Sequence, residues 1–285
     1  MSTICPPIDV TKLPYARRQL IIVQPDLVVV AAREAEANAA AQSGDTDWVD
    51  VAGRVAKAML GMRSIYGMAF ELATEALKAW AKARESGLDV LQIGHSEATA
   101  LQFPPGHPRE QAMYVAHPAV PTVYYTAAAF HRMAFEHKFS EAIRLLMSLG
   151  ASHIVVEHVH GWSSEFSANL SAGLPQGEGG VSGGRKESAS SKLLFDAVLK
   201  NKKAPTLPAG LVWYLHEPTW QAVAAGRLEY GMQQFSLNVV YDDDFGVNAG
   251  LKMRAQKAGL EIGGAFEDHM ATTWKIHGKF VADEG

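Results

Sequence analysis

Two rhythms of apolar and polar positions run along the chain, and each predicts its own kind of element. Trp48, Val51, Val55, Met59 and Met62 recur at three- or four-residue spacing behind a turn rich in capping residues, Ser43 to Asp47, which predicts an amphipathic helix. The spacing continues through Phe70, Ala73, Ala76, Leu77 and Trp80 toward Gly87, so residues 48–86 read as a helical hairpin or one long helix. Another helix is predicted over 127–149, where Phe135, Phe139, Ala142, Leu146 and Leu149 share one stripe and Gly150 follows.

The other rhythm has a period of two, the mark of a strand with one buried face. It appears in His153 to His160, in Phe235, Leu237, Val239 and Tyr241, in Leu260 to Phe266 and in Thr272 to Phe280. Short apolar runs at Gln19 to Val23, Asp89 to Ile93 and Leu211 to Leu215 also read as strands. Leu27 to Ala32 reads as a strand or as the helix of a strand–turn–helix, Ser190 to Lys200 as a helix, and Asp242-Asp243-Asp244 as the cap of a helix reaching about Ala258. The proline-rich stretch holding Pro104, Pro105, Pro108, Pro118 and Pro121 reads as mostly irregular. Helices and strands intermix without regular alternation and the strands look half-buried. The predicted class is therefore α+β, with a largely antiparallel sheet, packed helices and an N-terminal helical segment.

Composition narrows the function classes. With 48% hydrophobic and 20% charged residues over 285 positions, the chain has the make-up of a folded globular protein, expected as a single domain. A mobile Gly/Ser-rich insertion is expected at 171–191, where Gly179 and Gly184 have phosphate-loop spacing but are followed by Arg185-Lys186 rather than Lys-Ser/Thr. Twenty-six basic against 30 acidic residues, interspersed, leave no basic face for nucleic acid. One cysteine, Cys5, forms no intramolecular disulfide, and the expected location is a reducing cytoplasm. Arg17-Arg18 before an apolar run resembles a twin-arginine signal, but Gln24-Pro25-Asp26 interrupts the run. No stretch approaches the roughly 18 apolar residues of a spanning helix, so no constitutive transmembrane segment is expected.

Three constellations could carry chemistry. Gly94-His95-Ser96-Glu97-Ala98 follows a predicted strand and resembles the nucleophile elbow of the α/β-hydrolase family, Gly-x-Ser-x-Gly, with Ala98 in place of the last glycine. That resemblance implies Ser96 as nucleophile, with an acid at Asp196 or Asp242 and a base at His269 or His277. On the strand over 153–160, His158 and His160 share a face and could hold a metal ion, with His131 or Glu136-His137 as further ligands. The aromatic set Trp213, Tyr214, Trp220, Tyr230 and Phe235 is either a ligand pocket or core.

None of these patterns is complete, and the expected function is non-enzymatic: a binding or self-assembling protein, partnered by another protein or by its own copies, without cofactor. Rearrangement of the amphipathic strand over 153–170 would give reversible membrane contact. A serine hydrolase using Ser96 and a metal-dependent hydrolase using His158 and His160 are the alternatives.

Overall fold

The computed structural model describes residues 7–40, 48–59, 68–110, 112–162, 193–200 and 204–281, so the expected insertion at 171–191 lies outside the described residues. The chain divides into two compact units, Met1–Arg132 with Phe245–Asp268, and Met133–Asp244 with His269–Gly285. The class is α+β: among the described residues there are eight helices and two mostly antiparallel four-stranded sheets.

Unit 1 begins with a short helix α1 (Tyr15–Arg18) and strand β1 (Leu20–Gln24). Helix α2 (Asp26–Ala40), α3 (Trp48–Met59) and α4 (Met68–Glu85) follow, then β2 (Leu91–Gly94), the single turn α5 (His95–Ala98), β3 (Met113–Ala116) and β4 (Tyr124–Thr126). The helical reading of 48–86 thus resolves into two helices. The sheet order is β2-β1-β3-β4, and only β1 and β2 are parallel, with Val23 opposite Ile93 and Gln24 opposite Gly94. Parallel neighbours need a long crossover, which α2 to α4 provide. Strand alternation turns Ile21, Val23 and Ile93 into a core shared with Tyr114, Ala116 and Tyr124, and turns Ile22, Gln24 and Gln92 to the opposite face.

Unit 2 is carried by α6 (Phe130–Ser148), whose first turn belongs to unit 1, and by a sheet of order β6-β5-β8-β7. Its strands are β5 (Ala151–His160), β6 (Leu193–Val198), β7 (Gln234–Tyr241) and β8 (Thr272–Phe280), all antiparallel, with α7 (Pro218–Tyr230) beside β7. The predicted stripe of α6 is buried as expected, and Phe135 and Phe139 meet Trp274 of β8 edge-on at 4.9 and 5.1 Å. The 211–217 segment is tied to α6 by Glu141, which accepts from the N–H groups of Val212 and Tyr214, both at 2.8 Å. Lys138, itself buried, adds an ion pair to Glu217 and a bond to the Val240 carbonyl at 2.6 Å.

Several expectations are corrected. Residues 193–198 form strand β6, not a helix, because their backbone completes the ladder along β5. Leu211 to Leu215 is no strand: the Glu141 carboxylate gathers two of its N–H groups into a loop ending in a 3-10 turn at Tyr214–His216. Of the two expected forms for Leu27 to Ala32, the helical one holds, within α2. The helix expected after Asp242 starts later, as α8 (Ala249–Ala258), capped by the Asn248 side chain accepting from Gly250 and Leu251 N–H and closed by left-handed Gly259. Leu260 to Phe266 forms only one bridge, Glu261 to Ala112. β3, β4 and α7 were not expected from the pattern; β3 and β4 are too short, at four and three residues, to show a period.

Candidate functional site

The parallel pairing of β1 and β2 sets the carboxyl ends of two strands side by side, so the first turns of α2 and α5 meet. Asp26, opening α2 behind Pro25, accepts from the Ser96 N–H at 3.1 Å and from the Ser96 hydroxyl at 2.9 Å. The approach is close enough that a Cβ at Gly94 would stand 2.0 Å from the Asp26 Oδ1, which is why this position is glycine.

Ser96 is therefore exposed at a strand end, as the elbow resemblance implies, but its hydroxyl is bonded to a carboxylate, a much weaker base than imidazole. The adjacent His95 faces Glu110, 3.4 Å from its Nε2. Asp196, Asp242, His269 and His277 all belong to unit 2, where Asp196 bonds His153 Nε2 at 2.7 Å and His277 Nε2 stands 3.6 Å from Glu157. Ser96→Ala is expected to cost about 1 kcal/mol of stability, the worth of one exposed hydrogen bond, and a fluorophosphonate probe is expected to label neither form. Denaturant melts and in-gel fluorescence check both.

His158 and His160 do not meet over a shared point. A register shift separates them, with His158 opposite Trp274 and His160 opposite Thr273, and His158 Nε2 is bonded to the Gly161 carbonyl at 2.9 Å. His131 is bonded to the Val247 carbonyl, and His137 accepts from Trp213 Nε1 at 3.2 Å, its pKa pushed down by burial. Among the described residues no three His, Cys, Asp or Glu side chains gather as metal ligands. Of the aromatic set, Trp213, Trp220 and Phe235 are core, while Tyr230 is 81% exposed.

A different site is built on the other side of Glu97. The Glu97 carboxylate, 4% exposed, takes both arms of the Arg33 guanidinium at 2.8 Å each, and also accepts from the N–H groups of Gly94 at 2.9 Å and Ile8 at 2.6 Å. Burial alone would push this carboxyl up; the guanidinium and the two N–H donors outweigh burial and hold it below the ordinary glutamate value. Arg33 also donates to the Gln92 carbonyl at 3.1 Å, which locks it across α2 and β2.

Arg33, held by this fork, forms one wall of a cavity of about 140 Å³ within unit 1. Its floor is Trp80, Val90 and Ala32, with the Trp80 indole N–H bonded to the Val90 carbonyl at 3.1 Å. Arg84, paired with Asp89, lines another side, and Arg17 stands exposed at the rim. Glu36 reaches in from α2; burial pushes its carboxyl up, against the pull of the Arg84 and Arg33 charges.

Gln92 completes the lining, and it is the unusual member. It is 5% exposed, yet neither atom of its side-chain amide meets a hydrogen-bond partner among the described residues. Gln24, fully buried on the same sheet face and one diagonal step away on β1, is in the same condition but does not line the cavity. Buried polar groups are nearly always paired, so each such amide calls for an explanation.

Sequence reasoning did not single out Arg33, Glu36 or Gln92, and it read Arg17 only within the twin-arginine resemblance. The available signal was a polar amide inside each of two apolar strands, Ile21-Ile22-Val23-Gln24 and Val90-Leu91-Gln92-Ile93. Comparison with protein-family models, with curated proteins and with solved structures gave no match.

Proposed function

We propose that this protein acts by binding, and that unit 1 holds a small polar molecule in the cavity lined by Arg17, Arg33, Glu36, Arg84 and Gln92. The observation that carries the reading is the unpartnered Gln92 amide, buried at the cavity wall. An amide in that position offers two donors and an acceptor in a low-dielectric surrounding, where a matching ligand gains most and an analogue lacking the match is rejected. A cavity near 150 Å³ takes a molecule of about six non-hydrogen atoms. Arg33, fixed by Glu97 and the Gln92 carbonyl, keeps the wall rigid, which limits the entropy lost on binding.

Gln92→Leu tests the reading because it moves stability and binding in opposite directions. Removing two unpartnered polar atoms while filling a similar volume leaves stability unchanged or raises it by about 1–3 kcal/mol. Gln24→Leu is expected to do the same. A thermal-shift screen of polar molecules of about six non-hydrogen atoms is expected to find ligands that raise the melting temperature of wild type and Gln24→Leu but not of Gln92→Leu. A hit that stabilises all three proteins equally would place binding elsewhere, and a screen that moves none would contradict the reading.

A further inference from the structure

We infer that the ligand of this cavity carries one positive and one negative charge, and that it is a small zwitterion of the amino-acid class. The inference rests on the binding reading above and follows from counting charges around the lining. Two ion pairs are already made there, Arg33 with Glu97 and Arg84 with Asp89. What remains is one guanidinium, Arg17, and one carboxyl, Glu36; neither forms a side-chain hydrogen bond or salt bridge among the described residues, and the Arg17 charge acts on Glu36 through space. A plain anion would satisfy Arg17 but leave the Glu36 carboxyl facing a like-charged or unmatched group; a plain cation would satisfy Glu36 and be repelled by the guanidiniums. A molecule with a carboxylate for Arg17 and an ammonium for Glu36 answers both. The Gln92 amide is left to bond a carboxylate oxygen, or a polar substituent, on the same ligand.

Size agrees with charge, since glycine, alanine, serine and β-alanine all lie near the limit of about six non-hydrogen atoms. Arg17 at the exposed rim and half-buried Glu36 deeper in set an orientation, carboxylate outward and ammonium inward.

Calorimetric titration of the full chain with glycine, L-alanine, L-serine and β-alanine, beside propionate, propylamine and propionamide, tests this. At least one zwitterion is expected to bind at least tenfold more tightly than each singly charged or neutral analogue. Glu36→Gln is expected to weaken that zwitterion at least tenfold while leaving propionate unchanged or tighter, and Arg17→Ala to weaken it while sparing propylamine. Propionate, propylamine or propionamide binding as well as the amino acids would overturn the zwitterion and, if Gln92→Leu abolishes that binding, leave the cavity reading standing. If no compound binds wild type, the zwitterion falls, and the cavity reading is decided by the thermal-shift screen.

Discussion

Replacing Glu97 with alanine is expected to destabilise unit 1 by about 3–5 kcal/mol, the cost of stranding one member of a buried charge pair. The Arg33 side chain is 11% exposed and would keep its charge with no counterion, while the N–H groups of Gly94 and Ile8 would lose their acceptor. Because the same residue holds the cavity wall, ligand binding should fail with it. The pH dependence has a defined sign. The folded chain keeps Glu97 deprotonated below the ordinary glutamate value of 4.5, so the unfolded chain takes up the proton first as pH falls. Stability from this group is complete above that value and is lost as pH falls through the lower folded pKa. Glu97→Gln removes that part of the acid sensitivity, and denaturant melts between about pH 3 and 6 would show it as a flatter acid limb. An unchanged limb would mean that Glu97 is not held by Arg33 in solution.

Gly278→Ala is expected to have an effect of similar size in unit 2. Gly278 lies in β8 between Ile154 of β5 and Phe235 of β7, and an added Cβ would stand 1.9 Å from the His153 carbonyl oxygen and 2.8 Å from the Phe235 ring. The ring, packed on Phe280 with centroids 4.7 Å apart, covers the space that a side chain would fill. A rotamer change can move Phe235 but not a ladder carbonyl, so the strands must part. The expected cost is about 3 kcal/mol or more. The contrasting variant is Gly53→Ala: that helical glycine has nothing among the described residues within 4 Å of its Cβ position, and the change is expected to stabilise by about 0.5–1 kcal/mol. Equilibrium unfolding of the two variants, followed in parallel, checks both signs.

The elements legible in the sequence are those long enough to display a period. α6, β7 and β8 match their expected spans closely because each runs for eight or more residues with one buried face. Leu193 to Val198 was misread because six residues of mixed apolar character fit helix or strand equally, and only pairing with β5 decides. The cavity was illegible for a different reason. Arg33 and Glu97 are 64 residues apart, and nothing local marks them as partners. The parallel pairing of β1 and β2, which brings α2 against α5, is what creates the fork. Ser96, conspicuous in sequence, is positioned by Asp26; Glu97 beside it shapes the site.

The most direct test of the binding account is the side-chain amide signal of Gln92 in a 1H–15N NMR spectrum of the full chain, assigned by its loss in Gln92→Leu and followed during titration with L-alanine and the other small zwitterions. The account predicts that both amide protons shift and saturate together with the heat of binding, while the Gln24 amide moves little. Saturable binding with the Gln92 amide unmoved would contradict it.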